Sequence, residues 1–131
     1  MITRVTAAIL VHNERILIAQ RRGPENLAGK WEFPGGKIEN NETAQQCLIR
    51  EMKEEFGIDA VVGEFFGEST YHYDNGAVQL LAYHTFWEGG SFLLNAHAAI
   101  RWVSLNQIQE FEFVPADKPL VEKLRQFTMP T

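Results

Sequence analysis

The chain has one cysteine, Cys47, among 131 residues. That excludes an intrachain disulfide and fits a reducing compartment. Positive charge is also short: 12 Lys and Arg against 17 Asp and Glu leave a net charge of −5. There is no basic stripe, so a nucleic-acid polymer is not an expected partner. No stretch reaches the roughly 18 apolar residues of a membrane span. Met1 to Leu10 lacks a charged segment followed by a sufficient apolar run, so no signal peptide is expected. The expectations are therefore no membrane partner and a cytoplasmic location. Repeats, linkers and low-complexity segments are absent, as are Gly-rich P-loop and dinucleotide patterns. The four histidines, His12, His72, His84 and His97, show no zinc spacing with cysteine or with each other. They read as surface or strand residues.

What remains is ordinary for a globular domain: 45% hydrophobic and 22% charged residues. The length fits one domain, residues 1–131, with a real core. Val5 to Val11 and Ile16 to Ala19 read as a hairpin around a polar turn. Arg21 and Arg22 follow, then a loop from Gly23 to Lys30 with Gly, Pro and Asn as breakers. Trp31-Glu32-Phe33 reads as a short strand, and Pro34-Gly35-Gly36 as a sharp turn that lets main chain approach a ligand. The spacing predicts a helix over Thr43 to Phe56, with Thr43 and Gln46 forming a capping box. Ala44, Cys47, Leu48 and Met52 give that helix an apolar side; Cys47 on this arc reads as core packing. Gly57 fits the left-handed position that ends the helix, followed by the apolar Ile58.

Strand patterns then dominate: Val61 to Phe66, Tyr71 to Tyr73, a turn at Asp74-Asn75-Gly76, and Val78 to Trp87. Another turn is read at Glu88-Gly89-Gly90 and a strand at Ile100 to Val103. Ser104 is expected to cap a short helix through about Gln109. Pro115 to Pro119 leads into a last amphipathic helix, Leu120 to Phe127.

The end of the first predicted helix is chemically unusual. Glu51, Glu54 and Glu55 fall at i, i+3 and i+4, within an arc of about 100°. Like charges at that spacing repel, and they sit at the negative end of the helix dipole. A divalent cation would reverse both penalties, because hard cations take carboxylate oxygens. A plain solvated acidic helix end is the alternative for three Glu residues taken alone. The wider spacing argues otherwise. Gly36, Glu42, Arg50, Glu51, Glu54, Glu55 and Gly57 fix seven positions, and at about one in twenty per residue type a chance match is roughly one in a billion.

This pattern resembles the Nudix box, G-x5-E-x7-R-E-U-x-E-E-x-G-U, with Met52 and Ile58 at the apolar U positions. The segment Trp31 to Glu39 before it is similar to the MutT-like branch of that family. The box covers about a sixth of the chain. The resemblance implies an α/β fold, a mixed β-sheet sandwiched between helices. It implies hydrolysis of a nucleoside triphosphate, by attack of water on phosphorus, to the monophosphate and pyrophosphate. The cofactor implied is Mg²⁺, with Mn²⁺ as a substitute. The implied metal ligands are Glu51, Glu54, Glu55 and the Gly36 carbonyl, with Glu51 also the proton acceptor. Arg50 would pair with Glu42 and fix loop to helix. For the substrate, one of Arg21 and Arg22 would contact the nucleotide; Phe33 and the Tyr71/Tyr73 strand would offer stacking surface. Lys37 would meet phosphate or solvent. A monomer or homodimer is expected.

Two positions depart from the family pattern. A further Glu six residues before Trp102 is replaced by Ala96, and Glu68 is a substitute to consider. The turn before the last helix carries Asp117 where the MutT-type pattern has Asn. Asp117 would accept from an exocyclic amino group such as that of cytosine, or, if protonated, suit an oxidised purine. Equally, it would cap the helix. The leading expectation is hydrolysis of the 8-oxo-dGTP type. CTP or 5-substituted dCTP is the alternative substrate, and a nucleotide-binding module with weak hydrolysis the alternative class.

Overall fold

In the computed structural model, residues 1–24 and 26–126 are described; Phe127, the expected end of the last helix, lies outside them. The elements in order are β1 (Ile2–His12), β2 (Arg15–Arg21), β3 (Trp31–Glu32), α1 (Ala44–Phe56), β4 (Asp59–Tyr73), β5 (Gly76–Gly89), β6 (His97–Val103) and α2 (Lys118–Arg125). The strands form one mixed six-stranded sheet. β1 runs parallel to β5, and β4 closes on β5 as an antiparallel hairpin.

The alternation of apolar side chains explains why helices cover both faces. Ala7, Ile9, Ile16 and Ile18 join Leu120, Val121 and Leu124 of α2 in one core. Their neighbours Ala8, Leu10, Leu17 and Ala19 join Leu48, Met52 and Phe56 of α1 in the other. β1 and β2 are thus buried on both sides, which is why they read as continuous apolar runs rather than alternating ones. The expected α/β/α layering is what the two cores produce.

One irregularity places the functional loop. β1 and β2 pair only beside their turn, at Val11↔Ile16 and His12↔Arg15, and then splay. The segment after β3 enters the gap and pairs with β1 instead. Ala8 N–H donates to the Pro34 carbonyl at 2.7 Å, Thr6 N–H to the Gly36 carbonyl at 2.8 Å, and Ile38 N–H to the Arg4 carbonyl at 3.0 Å. The Pro-Gly-Gly turn is therefore held inside the sheet's mouth by main-chain bonds, next to the end of α1.

α1 has the ends expected. Thr43 Oγ1 accepts from Gln46 N–H at 3.0 Å while Gln46 Oε1 accepts from Thr43 N–H at 2.9 Å. Gly57 closes the helix at φ 71°. Elsewhere the sequence reading is corrected. β4 runs unbroken from Asp59 to Tyr73, so the two short strands expected there are one. The hairpin turn is Asp74-Asn75, with Gly76 already in β5. Ser104 introduces no helix; its Oγ shares Gln107 Oε1 ahead of a single 3₁₀ turn, Ile108–Glu110. No helix among the described residues is long and apolar enough to cross a membrane.

Loss of the α1 cap tests how far local signals stabilise the fold. Thr43→Ala is expected to cost about 1 kcal/mol, a fall in Tm of about 4 °C. Thr43→Ser should restore most of it. Thermal unfolding followed by circular dichroism checks both.

Candidate active site

The acidic end of α1 is organised by Arg50. Its guanidinium donates to Glu42 through Nε at 3.1 Å and Nη2 at 2.7 Å. Nη1 donates to Glu51 at 2.8 Å and to Glu54 at 3.0 Å, and Nη2 also reaches the Lys37 carbonyl at 3.1 Å. The Glu42 pair that the family pattern implied is present, and Arg50 additionally supplies the positive charge for two of the three glutamates. Its hydrogen bonds hold the Glu42 carboxyl down at about 2, well below the usual range. The same carboxylates push the Arg50 guanidinium further up.

The trio does not act alike. Glu51 is tucked in, its side chain 14% exposed, while Glu54 is 59% exposed. Burial raises the Glu51 carboxyl despite its bond to Arg50. Glu55 is the extreme case. Burial first, then the charges of Glu51 and Glu32, push its carboxyl up to about 9. Its Oε1 is buried without a hydrogen-bond partner among the described residues. Gly36 permits this close approach: a Cβ there would lie 2.3 Å from the Glu51 carboxyl carbon and would make that side chain shift.

The Gly36 carbonyl is tied to β1: it accepts from Thr6 N–H at 2.8 Å, and Thr6 Oγ1 and Cys47 Sγ lie 3.2 and 3.5 Å from it. Among the described residues no three acidic, His or Cys side chains form a ready-made cation cage. The donor set nonetheless fits a hard divalent ion. Glu55 has an orphaned buried oxygen, and its raised carboxyl lacks only a positive neighbour.

Beside Glu55 opens a cavity of about 410 Å³, whose walls include Arg21, Glu32, Phe33, Tyr73 and Asp117. Arg21 and Arg22 are thereby separated: Arg21 lines the cavity and Arg22 is exposed away from it. Lys37 is exposed, and it is its carbonyl rather than its ammonium that meets Arg50. Phe33 is buried against Phe113, with ring centroids 5.3 Å apart, and forms part of the cavity wall. Tyr73 also lines the wall, its hydroxyl accepting from Ala116 N–H at 3.2 Å.

Asp117 does not cap α2; no side-chain cap bond forms there. Its Oδ2 instead accepts from Phe33 N–H at 2.8 Å, which ties the last turn to the strand before the glycines. Burial pushes its carboxyl up to about 8. Burial thus favours its neutral form, which has an O–H donor as well as acceptors.

Glu68 is not the missing late carboxylate. It is exposed and takes Gln79 Nε2 at 3.1 Å. The extra carboxylate on the cavity wall is Glu32. Sequence reading passed over it because one Glu inside Trp-Glu-Phe carries no signal of its own. His97, read as a surface or strand residue, is on β6 but buried.

A mixed sheet between two helices, a glycine turn locked into its mouth and an arginine-clamped acidic helix end together define a Nudix-type domain. The comparisons agree: residues 2–124 match the NUDIX domain model. This chain belongs to the Nudix hydrolase family. It is 38% identical over 118 residues to the Escherichia coli (strain K12) CTP pyrophosphohydrolase, covering 90% of this chain and 87% of that protein. It is 33% identical over 115 residues to the 8-oxo-dGTP diphosphatase of the same organism, covering 87% and 88%. Among solved structures, MutT from methicillin-resistant Staphylococcus aureus 252 superposes with a TM-score of 0.77 at 38% identity. That match covers 95% of this chain and 96% of that one.

The raised Asp117 value makes stability depend on pH. Its folded value of about 8 exceeds the ordinary 3.8, so the folded state holds the proton more tightly. That contribution is complete below about pH 4 and is lost as pH rises through about 8. Asp117→Asn removes the titration. The urea midpoint of the natural protein should therefore fall relative to the variant between about pH 5 and pH 8.5. Parallel urea titrations at both pH values measure this difference.

Proposed function

We propose that this chain is a Mg²⁺-dependent nucleoside triphosphate pyrophosphohydrolase that prefers an oxidised purine triphosphate of the 8-oxo-dGTP type. The single observation that carries the reading is Glu55. It is a half-buried side chain with one buried, unpartnered oxygen among the described residues, standing at the edge of a cavity whose wall also holds Asp117.

In the reaction, a water oxygen forms a bond to phosphorus and the bridging P–O bond of the anhydride breaks. The water's proton goes to a carboxylate, and pyrophosphate leaves from the nucleoside monophosphate. Glu51, Glu54 and Glu55 are the residues that would hold the cation, which when bound neutralises phosphate charge and orients the water. Arg50 keeps Glu51 and Glu54 in place. Glu51 keeps one oxygen on Arg50 and one free of it, and Glu55 lines the cavity; either can take the proton in its ionised form. Arg21 offers a planar fork suited to phosphate or to a base edge. Phe33 and Tyr73 provide apolar wall, and a protonated Asp117 donates to an acceptor on the base.

The second reading, a cytidine nucleotide as substrate, rests on a specific similarity: the E. coli CTP pyrophosphohydrolase is 38% identical. In its ionised form Asp117 would accept from the exocyclic amino group. A panel of 8-oxo-dGTP, dGTP, CTP and 5-methyl-dCTP, ranked by kcat/KM and assayed for pyrophosphate with Mg²⁺, with Mn²⁺ and with chelator, decides between them. The expectation is 8-oxo-dGTP first and no turnover in chelator. Tight nucleotide binding with no pyrophosphate under either ion would instead make the chain a binding module.

Glu51→Gln and Glu55→Gln are each expected to lower kcat by about 10²-fold or more, the scale of lost electrostatic and acid–base contributions. The folded circular dichroism spectrum should be retained. Near-normal rates at saturating Mg²⁺ would remove both residues from the chemistry.

A further inference from the structure

His97 is a buried histidine with half of its hydrogen-bonding capacity idle. Its side chain is 5% exposed, and Nε2 lies 2.9 Å from Glu32 Oε2. A carboxylate only accepts, so Nε2 carries the proton. Nδ1 is buried and finds no partner among the described residues. The ring stacks on Phe56 at the end of α1, centroids 5.4 Å apart and planes 3° from parallel. A leucine or phenylalanine would fill the same space without burying an orphaned nitrogen, and would be the better core residue. Packing alone does not account for the imidazole; the bond from Nε2 does.

That bond has a destination. The second oxygen of Glu32, Oε1, accepts from Arg21 Nη1 at 3.1 Å, and Arg21 Nε donates to the Asn26 carbonyl at 2.7 Å. The three side chains come from three adjacent strands, and Arg21 and His97 are register partners across β2 and β6, at a bulge after Gln20. They run from the buried face of α1 to the cavity, where Glu32 and Arg21 form part of the wall and His97 does not. With both oxygens held, the Glu32 carboxylate has one orientation. With Oε2 released, it turns about a broad terminal torsion, and the Arg21 fork loses its fixed partner.

We propose that His97 is a positioning residue that aims the Arg21 guanidinium at the bound nucleotide, acting through Glu32. This inference rests on the reading of the cavity as a nucleotide site. It makes His97 a determinant of substrate binding rather than of the hydrolytic step, because the chain of contacts ends at Arg21 and not at the glutamates.

The test compares His97→Leu, which deletes the donor and keeps an apolar filling, with His97→Gln, whose amide N–H reaches about as far as Nε2. In the full chain with Mg²⁺ and the best triphosphate of the panel, His97→Leu should raise KM about tenfold, the size of one lost charge-assisted hydrogen bond. Its kcat should stay within about twofold, and His97→Gln should recover most of the KM. Adding His97→Leu to Glu32→Gln should cause little further change, since both act on one path. In nucleotide-free and metal-free protein, the Arg21 Nε–H resonance, assigned by its loss in Arg21→Lys, should broaden in His97→Leu and sharpen again in His97→Gln. His97→Phe, which preserves the stacked ring on Phe56, replaces His97→Leu if the latter does not unfold cooperatively. Unchanged KM, equal defects in the Leu and Gln variants, or additive effects with Glu32→Gln would each overturn the proposal. A natural protein that hydrolyses no nucleotide would overturn the functional reading instead, and the Arg21 resonance would still decide whether His97 fixes that side chain.

Discussion

Everything at the acidic end of α1 depends on one guanidinium shared among several acceptors. Arg50 joins Glu42 in the loop, Glu51 and Glu54 on its own helix, and the Lys37 carbonyl after the glycine turn. These groups come from segments that repel one another. Three are carboxylates, and the helix contributes its own negative end. Without a cation at the centre, these carboxylates would repel one another across the gap between loop and helix. An arginine suits this place better than a lysine, because a planar fork satisfies a bidentate carboxylate and still has a face for the next acceptor.

The sheet supplies the matching constraint. β1 and β2 part after two register pairs, and the Pro34 to Ile38 segment fills the opening with main-chain bonds to β1. That insertion brings Gly36 against Glu51, where a Cβ would displace the Glu51 carboxylate. It also ties the Gly36 carbonyl to Thr6 N–H. The sheet therefore fixes the turn, the turn fixes the position of the helix end, and the helix end presents Glu55 to the cavity. Rigidity of this kind is what a site needs when its charged groups must hold a geometry they would not choose in water.

The parts of this arrangement that were legible in the sequence are the local ones. The α1 cap, its left-handed end and its apolar side are encoded within about four residues of each other, and all formed as read. The Glu42–Arg50 pair was legible through the family pattern, since nothing in an eight-residue separation demands it. Pairings across long separations were not. Glu32 and His97 are 65 positions apart, and Phe33 and Asp117 are 84. Asp117 at the start of a helix looks like a cap from its position, and only the tertiary fold reveals that Phe33 N–H competes for the same oxygen and wins. β4 was read as two short strands because polar residues interrupt it. Pairing with β5 along its whole length overrode that local signal.

Charge decides what the cavity can accept. Its wall and rim hold Glu32, Glu55, Asp117 and, just behind, Glu51, against the single arginine of the wall, Arg21. Two unit charges about 4 Å apart at an effective dielectric of about 20 interact by about 4 kcal/mol. A triphosphate entering beside ionised carboxylates would meet several such repulsions at once, more than one guanidinium offsets. Burial already pushes Glu55 and Asp117 toward their neutral forms, which lowers the negative charge of the cavity wall. The two groups then diverge. Asp117 lies against Phe33 N–H with no carboxylate partner, so its proton can stay and serve the base. Glu55 lies against Glu51, so the two would hold a divalent ion, which would favour their charged forms. One pocket thus offers an acidic hydrogen at one wall and an ionisable carboxylate at the other, which is the asymmetry expected where one end of the ligand is a base and the other a chain of phosphates.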